Sequence, residues 1–260
     1  MKLQMVDLQR EVSELRDELQ VAISAVLDSG AFVRGSFVSA FEEDLARIHN
    51  GARVVGVGNG TDALQLAYMA AGVGPEDEVI VPAFTFFATA EAAALLGATP
   101  VFVDIDPETF NLDVNTLESA VTERTKAIVP VHLFGQSAEM DPIMTIARQR
   151  GVNVIEDAAQ AVGATYCDRI VGLIGDIGCL SFYPSKNLGA YGDGGACITE
   201  NEKLADKIRM LANHGSERKY FNTEIGVNSR LDAIQAAILS VKIPHLESWT
   251  TARRHVADAY

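Results

Sequence analysis

The stretch Leu180–Gly195, LSFYPSKNLGAYGDGG, holds one lysine, Lys186, in a loop that also contains Pro184 and four glycines. The apolar residues at its start predict the end of a β-strand, and the glycines and proline predict a tight, irregular backbone. An amine in a concave, partly desolvated site loses part of its preference for the charged form and can attack carbonyl carbons. A solvated surface lysine is the ordinary interpretation, but the neighbouring motifs favour a chemical role for Lys186.

The second chemical signal is an apolar strand that runs directly into Glu156 and Asp157. Ligands of an open α/β sheet bind beyond the carboxyl ends of its strands, so we expect Asp157 to point into the ligand crevice. Pyridoxal phosphate requires a lysine that forms a Schiff base and an aspartate that pairs with the pyridinium nitrogen. Lys186 and Asp157 therefore predict a pyridoxal phosphate site in which both residues are catalytic.

Short apolar segments alternate with helical patterns from residue 52 onward, as is typical of βαβ units and a mostly parallel sheet. The predicted strands are 53–57, 79–81, 100–103, 127–131, 153–156, 178–182 and 195–199. Helices are predicted at 9–28, 201–213, 229–243 and 251–260. Only the lysine loop separates the last two strands, so we expect the last strand to enter the sheet antiparallel.

Composition limits the partners and the setting of the chain. The formal net charge of −14 argues against a nucleic acid partner, because phosphate binding needs a basic face. The sequence starts without the apolar core of a signal peptide, and no apolar run is long enough to span a membrane. The three cysteines have neither metal-site spacing nor the even count of a disulfide framework. We therefore expect a reduced, cytoplasmic protein with no metal site and no membrane partner.

Six motifs follow one another along the chain between residues 58 and 239, and the likeness that they carry runs from about residue 6 to residue 260. They are GNGTDAL (58–64), PAFTFFATAEA (82–92), VFVDIDPETFNLD (101–113), IEDAAQAVGA (155–164), SFYPSKNLGAYGDGGA (181–196) and NSRLDAIQAAIL (228–239). With these motifs the sequence resembles the DegT/DnrJ/EryC1/StrS family, which comprises pyridoxal-phosphate-dependent aminotransferases of fold type I that act on nucleotide-linked keto sugars.

The resemblance implies an α/β fold whose large domain has a mostly parallel, seven-stranded sheet flanked by helices. Members of the family also have a small C-terminal domain, which we expect to be absent from this chain. Residues 1–260 are accordingly expected to form an N-terminal segment and the large, cofactor-binding domain.

The segment 58–62 lies between a predicted strand and a predicted helix, where backbone N–H groups can form an anion cup. An ordinary helix N-cap is the alternative interpretation. The resemblance assigns Gly60, Thr61 and Ser181 to the cofactor phosphate.

The resemblance also assigns the remaining cofactor contacts. It implies that Phe86 stacks on the pyridine, although Phe84 or Phe87 could equally lie there, and that Gln160 contacts the phenolic oxygen. Asn228, placed at the start of a late helix, would bind the phosphate of the partner subunit. A homodimer with shared active sites follows from this assignment, with L-glutamate as amino donor and Lys186 as the base.

Several charged residues are candidates for the substrate. The run HGSERKY (214–220) is either a solvated charged loop or a lip of the nucleotide-sugar pocket, with His214 and Arg218 as candidate substrate residues. Arg230 could clasp a carboxylate bidentately, or it could pair with an acid at a dimer interface. Arg34, in an early loop, could meet a phosphate, although a solvated arginine is favoured. For His132, after a strand, a packed and hydrogen-bonded histidine is favoured over a catalytic one.

These runs resemble the branch that aminates C3 of UDP-2-acetamido-3-keto-glucuronate. The predicted function is therefore transfer of the amino group of glutamate to that nucleotide-linked keto sugar, in polysaccharide biosynthesis. Two alternatives remain open: an aminotransferase for another keto sugar or a cyclitol, and a non-catalytic protein that binds pyridoxal phosphate.

Overall fold

A computed structural model of the chain describes residues 6–218 and 220–260. The strands in this part are β1 (Arg53–Val57), β2 (Glu78–Pro82), β3 (Thr99–Val103), β4 (Thr125–Ile128), β5 (Asn153–Asp157), β6 (Thr165–Tyr166), β7 (Arg169–Ile170), β8 (Ile177–Ser181), β9 (Gly195–Thr199), β10 (Ser216–Arg218) and β11 (Phe221–Asn222). The α-helices are α1 (Leu8–Glu14), α2 (Arg16–Ser29), α3 (Ser36–Ile48), α4 (Gly60–Ala70), α5 (Ala88–Leu95), α6 (Val114–Ala120), α7 (Met140–Arg150), α8 (Glu202–Leu211), α9 (Ala233–Lys242) and α10 (Leu246–Ala259). No helix among these residues is long and apolar enough to cross a membrane.

Seven strands form one sheet in the order β1-β9-β8-β5-β4-β2-β3. The pairs from β8 through β5, β4 and β2 to β3 are parallel, whereas β9 is antiparallel to both β8 and β1. The predicted seven-stranded, mostly parallel α/β fold is thus confirmed, and so is the antiparallel entry of the last strand.

Both faces of the sheet are covered, which explains why β2 and β8 are buried along their whole length. On one face, α4 packs small and apolar side chains such as Ala67 and Tyr68 against the sheet. On the other face, Phe41 of α3 meets Phe182 edge to face with ring centroids 5.4 Å apart. The strands therefore form a rigid base for the residues at their carboxyl ends.

Several predicted elements have different bounds in the structure: the helix predicted at 251–260 is Leu246–Ala259, and the strand predicted at 127–131 is Thr125–Ile128. The helix predicted at 9–28 is broken at Leu15, whose backbone is not helical (φ −103°, ψ 8°), so the prediction of one continuous helix is wrong. Leu15 is instead buried against Ile238 of α9, a tertiary contact that the helical spacing alone does not reveal.

The late helix predicted from residue 229 begins only at Ala233, because the preceding segment is held extended. The hydroxyl of Ser229 accepts from the Gly58 N–H (2.9 Å) and donates to Asp62 (2.7 Å), while Asp232 bridges to Val33. Asn228 therefore lies in an extended segment, and its predicted position at the start of a helix is wrong.

Two parallel neighbours bring site residues to one edge of the sheet. β5 ends at Asp157 and β8 ends at Ser181, and Asp157 is in register with Cys179. The side chains that follow both strands consequently emerge at the same carboxyl edge, where α/β proteins bind their ligands.

Candidate active site

A cavity of about 570 Å³ opens at this carboxyl edge. Its walls come from the ends of β5 and β8, the start of α4, the segment before α5 and the loop that follows β8. Seven residues predicted from the sequence line it together: Gly60, Thr61, Phe86, Asp157, Gln160, Ser181 and Lys186. The fold thus gathers, into one space, residues that are far apart in the sequence.

One end of the cavity is formed by the N-terminus of α4. The Asn59 side chain caps the helix by accepting from the Asp62 N–H (2.8 Å). The N–H groups of Gly60 and Thr61, at the very start of the helix, have no intrahelical partners. A Cβ on Gly60 would lie 2.7 Å from the Ser181 Cβ, so only glycine lets the helix start approach Ser181 this closely. Free N–H groups, a helix dipole and two hydroxyls, those of Thr61 and Ser181, suit an anion.

Asp157 occupies the inner wall of the cavity and is 6% exposed. One carboxylate oxygen accepts a 2.8 Å hydrogen bond from the Thr89 hydroxyl, and the other accepts from the Ala159 N–H at 3.2 Å. Burial raises the pKa of Asp157, while these hydrogen bonds and the nearby His132 and Lys186 act in the opposite direction. A buried carboxylate of this kind gains most from a cationic ligand.

Glu156, the preceding residue of β5, faces the other side of the sheet and is fully buried. Its carboxylate accepts N–H bonds from Gly172, Ile174 and Gly175 (2.6–2.8 Å). It also accepts from His132 Nε2 at 2.9 Å, and His132 Nδ1 accepts from the Ala138 N–H at 3.1 Å. The interpretation of His132 as a packed, hydrogen-bonded histidine is confirmed, and its ring fixes the strand end that carries Asp157.

Lys186 enters the cavity from the loop after β8 and is half-buried. Its backbone N–H donates to the Tyr183 carbonyl (2.8 Å), and Ala190 N–H closes the loop on Phe182 (2.8 Å). Burial lowers the pKa of Lys186 from its ordinary 10.5, and the charge of Asp157 partly opposes this shift. A larger neutral fraction makes the amine a better nucleophile and base.

Phe86 and Gln160 both line the cavity. Phe86 lines the mouth and is 73% exposed, so one ring face is open to a ligand. Phe84 instead contacts Phe110, with ring centroids 5.9 Å apart. The side-chain oxygen of Gln160 accepts a hydrogen bond from the Phe134 N–H at 2.8 Å. The side-chain nitrogen of Gln160 is therefore the donor that it can offer to a ligand.

Asn228 and the residues proposed for the substrate do not line this cavity. Asn228 is exposed and bridges to Asn213. His214 has a left-handed backbone (φ 59°) in the turn that leads into β10, and its N–H donates to the Val227 carbonyl (2.8 Å). The Arg218 guanidinium stacks over the Phe221 ring at 4.0 Å, and Lys219 of the same run lies outside the described residues.

Arg230 borders a second, smaller cavity of about 170 Å³ together with Arg34 and Arg209. Both carboxylate oxygens of Glu42 accept hydrogen bonds from the Arg209 guanidinium (3.1 Å each). Arg230 donates to the side-chain oxygen of Asn213 at 3.3 Å. Burial lowers the pKa of Arg34, and the charges of Arg230 and Arg209 lower it further. Three guanidinium groups against one carboxylate give this cavity a positive charge.

Sequence reasoning missed several residues that line the main cavity or hold its lining residues in place. Thr89, which holds Asp157, and Asn59, which caps α4, both belong to recognised motifs, but their side-chain roles have no spacing signal. Tyr183, Ser185 and Asp193 also line the cavity and lie within the quoted lysine loop. Only the folded backbone decides which members of such a loop face inward.

The residues present fit pyridoxal phosphate in three features of the cavity. The glycine-dependent cradle at α4 suits the phosphate, and the buried Asp157 carboxylate calls for a cationic ring nitrogen. The half-buried Lys186 amine lies in the same cavity for covalent attachment. Fold and site together define the class of protein: a pyridoxal-phosphate-dependent enzyme of fold type I.

Comparisons with known proteins identify the family within this class. The family model of the DegT/DnrJ/EryC1/StrS aminotransferase family matches residues 13–260, and the chain belongs to this family. An Acidithiobacillus ferrooxidans UDP-N-acetyl-3-dehydro-alpha-D-glucosamine 3-aminotransferase is 50% identical over 98% of this chain and 69% of its own length.

A Pseudomonas aeruginosa UDP-2-acetamido-2-deoxy-3-oxo-D-glucuronate aminotransferase is 48% identical over 99% of this chain and 72% of its own length. Among solved structures, S. venezuelae DesV in complex with a ketimine intermediate is similar with a TM-score of 0.97. It is 44% identical, and the match covers 99% of this chain and 69% of that one. The chain is therefore a pyridoxal-phosphate-dependent aminotransferase that spans about 70% of the length of these relatives.

Proposed function

We propose that this aminotransferase transfers the amino group of L-glutamate to a nucleotide-linked keto sugar, UDP-2-acetamido-3-keto-glucuronate, and supplies amino sugar for polysaccharide assembly. The observation that carries the catalytic part is the single cavity that holds Lys186, Asp157 and the α4 cradle together. The two relatives named above act, by their names, on UDP-linked sugars oxidised at C3, which supports this substrate class.

In the proposed reaction, bound pyridoxal phosphate supplies an electron sink that stabilises negative charge on the α-carbon of the amino donor. Asp157 keeps the ring nitrogen protonated, because its buried carboxylate is stabilised by a cation beside it. Gly60, Thr61 and Ser181 would hold the phosphate at the start of α4, and Phe86 would cover the ring. The Gln160 amide nitrogen would be free to donate to the phenolic oxygen.

Lys186 performs the proton transfers in this proposal. Its Nζ would hold the cofactor covalently until the amino donor takes that place. The freed amine of Lys186 would then act as general base toward the proton on the donor α-carbon and as general acid when it returns that proton. The lowered pKa of Lys186 favours the neutral form that this first step needs.

In the proposed homodimer, each subunit contributes polar groups to the phosphate-binding end of its partner's cavity. Among the described residues that line the cavity, Lys186 is the one cation, beside the acidic Asp157 and Asp193. The proposed dimer would bring the exposed Asn228 of a second copy to the phosphate as a further polar group. Phe86, which lines the cavity, and Phe134 have exposed rings, and these support burial of this face against a partner.

The positively charged second cavity supports an anionic substrate. Arg34 and Arg230 line it, and burial first, then the charges of Arg230 and Arg209, lower the pKa of Arg34 against the opposite effect of Glu42. A substrate carboxylate would relieve the repulsion among these arginines and accept a bidentate hydrogen bond from Arg230. A uronate carries such a carboxylate at C6, whereas the matching glucosamine carries a neutral hydroxymethyl group.

The test is an amination assay with glutamate and a panel of keto sugars. It compares the 3-keto uronate, the matching 3-keto glucosamine, a 4-keto hexose nucleotide and a keto cyclitol, and it detects 2-oxoglutarate and the amino product. We expect the highest kcat/KM with the uronate. A higher value with the neutral sugar or the cyclitol would overturn the substrate assignment. Bound cofactor with no 2-oxoglutarate from any acceptor would favour the non-catalytic alternative.

A further inference from the structure

Lys242, the last residue of α9, has no solvent-exposed surface. Its ammonium group donates to the carbonyl oxygen of Gly189 at 2.5 Å, inside the loop that carries Lys186. The same group lies 2.5 Å from Glu11 of α1 and 4.0 Å from the centroid of the Tyr191 ring. One buried cation therefore joins the N-terminal helix, α9 and the loop of the cofactor lysine.

A second side chain of α9 holds the same loop. The Gln235 side-chain oxygen accepts from the Tyr191 N–H at 2.9 Å, and its nitrogen lies 3.4 Å from the Tyr191 carbonyl oxygen. A Cβ on Gly192 would come within 2.9 Å of the Gln235 amide nitrogen, so the loop passes closely over this side chain. Gln235 and Lys242 lie two turns apart on one helix and contact successive parts of the loop.

Burial of a charged lysine costs free energy unless its ammonium group is paired and hydrogen-bonded. Burial lowers the pKa of Lys242, and the hydrogen bond and charge of Glu11 offset only part of this effect. Replacing a buried ion pair with packed apolar side chains is often neutral or stabilising, so such a pair is weak evidence for a contribution to stability. The contribution of Lys242 is geometric, because its hydrogen bond fixes the orientation of the Gly189 carbonyl.

Lys186 depends on that orientation, because the loop is held at points on either side of it. Backbone hydrogen bonds join Lys186 to Tyr183 and Ala190 to Phe182, and the side chains of Leu188 and Ala190 are buried in the core. Lys242 and Gln235 add the side-chain hydrogen bonds at Gly189 and Tyr191. Gly189 also packs closely on Pro184, where a Cβ would lie 2.4 Å from the carbonyl oxygen. A shift of Gly189 would consequently move the segment between Pro184 and Gly189, which includes Lys186.

We propose that Lys242 and Gln235 are positioning residues that hold the loop so that Lys186 Nζ faces the cofactor above Asp157. They touch neither the cofactor nor the substrate and act through Gly189 and Tyr191. The proposal rests on the function proposed for Lys186 above, and it assigns to α9 a role in cofactor attachment.

The experiment compares the wild type with Lys242→Met, which removes the Gly189 contact, and Gln235→Leu, which removes the Tyr191 contacts. Glu11→Gln is the matched control, because a glutamine oxygen still accepts a hydrogen bond from Lys242 and the Gly189 contact remains. Each purified protein is freed of cofactor and mixed with pyridoxal phosphate. The readouts are the rate of covalent attachment, the pH midpoint of the bound cofactor's absorbance, and the thermal midpoint of the apoprotein.

We expect Lys242→Met and Gln235→Leu each to slow attachment about tenfold, because a small misplacement of a reacting group strongly lowers its rate. Both variants should also shift the absorbance midpoint, whereas Glu11→Gln should alter the thermal midpoint alone. A purely structural role would lower thermal midpoints and leave attachment and absorbance as in the wild type, which would overturn the proposal. If Lys242→Met does not fold, Gln235→Leu decides between the two outcomes.

Borohydride reduction and peptide mapping of the wild type distinguish the positioning role of Lys242 and Gln235 from the function proposed for Lys186. An adduct on Lys186 with unchanged attachment in the folded variants would overturn only the positioning role. An adduct on another lysine would overturn the function proposed for Lys186 and this inference together.

Discussion

Thr89 Oγ1 donates a 2.8 Å hydrogen bond to Asp157 Oδ2, and both side chains are buried. The bond links the first turn of α5 to the end of β5 and fixes the plane of the carboxylate that faces the cavity. It also lowers the pKa of Asp157 against the larger, opposite effect of burial. Thr89 therefore favours the ionised form of Asp157, the form that would pair with a cationic ring nitrogen.

Thr89→Val should weaken cofactor binding, because it removes a hydrogen bond to a charged group without changing the shape of the side chain. The expected loss is about 1.5–3 kcal/mol, or roughly ten- to a hundredfold in the dissociation constant of pyridoxal phosphate. Titration of the apoprotein with the cofactor measures this constant. Thr89→Ser retains the hydroxyl and should bind nearly as the wild type does; equal losses in both variants would assign the effect to packing.

Asp157→Asn should stabilise the apoprotein at neutral and higher pH while it impairs cofactor binding. The pKa of Asp157 is raised in the folded state, so the folded chain binds this proton more tightly than the unfolded chain does. The free energy of unfolding of the wild type therefore falls as pH rises from the ordinary value of 3.8 through the raised pKa.

Urea unfolding of both apoproteins at several pH values measures the difference between their free energies of unfolding. The contributions of the other titrating groups cancel in this difference. We expect the advantage of the asparagine variant to be smallest near pH 4 and to grow with pH. A variant that is less stable than the wild type at high pH would contradict the unfavourable burial of the Asp157 charge.

The sequence predicts the sheet and most of the cavity for physical reasons that particular residues illustrate. Apolar runs of strand length bounded by turn residues locate β1, β5 and β9 to within a residue of their bounds. Asp157 and Lys186 are predictable because an acid at a strand end and a lysine among glycines are both unusual placements. Their meeting follows from the parallel order of β5 and β8.

The remaining features depend on tertiary contacts that one sequence does not reveal. The break at Leu15 and the extended segment at Asn228 both oppose a continuous helical pattern, and distant partners hold each of them. Lys242 occupies an unremarkable position in an amphipathic helix, yet it is buried because Glu11 and Gly189 meet it there. Local propensity therefore predicts an element better than it predicts where the element ends.

Mixed dimers test whether the sites are shared. Asn228→Ala and Lys186→Ala subunits should each be inactive as homodimers, the first through loss of a phosphate contact and the second through loss of the base. A mixed dimer has one site with both residues intact, so verified heterodimers should recover roughly half of the wild-type activity. Heterodimers that show no recovery would mean that each site uses its own Asn228 or none.

Arg230→Ala should lower kcat/KM for the 3-keto uronate far more than for the matching neutral sugar. A charged hydrogen bond left unmade costs about 1.5–3 kcal/mol, so the expected difference between the two losses is roughly ten- to a hundredfold. Arg169→Ala is the matched control, because this arginine pairs with the exposed Asp141 and lines neither cavity. Equal losses on both sugars would return Arg230 to a structural role.

Covalent trapping of the cofactor tests the central claim most directly. The protein is loaded with pyridoxal phosphate, reduced with borohydride, digested and mapped by mass spectrometry. Lys186 is the lysine that lines the cavity with Asp157, so the pyridoxyl group should lie on the peptide that contains Lys186, and Lys186→Ala should yield no adduct. A pyridoxyl group on any other lysine, or an adduct that survives in Lys186→Ala, would contradict the assignment of this cavity as the catalytic site.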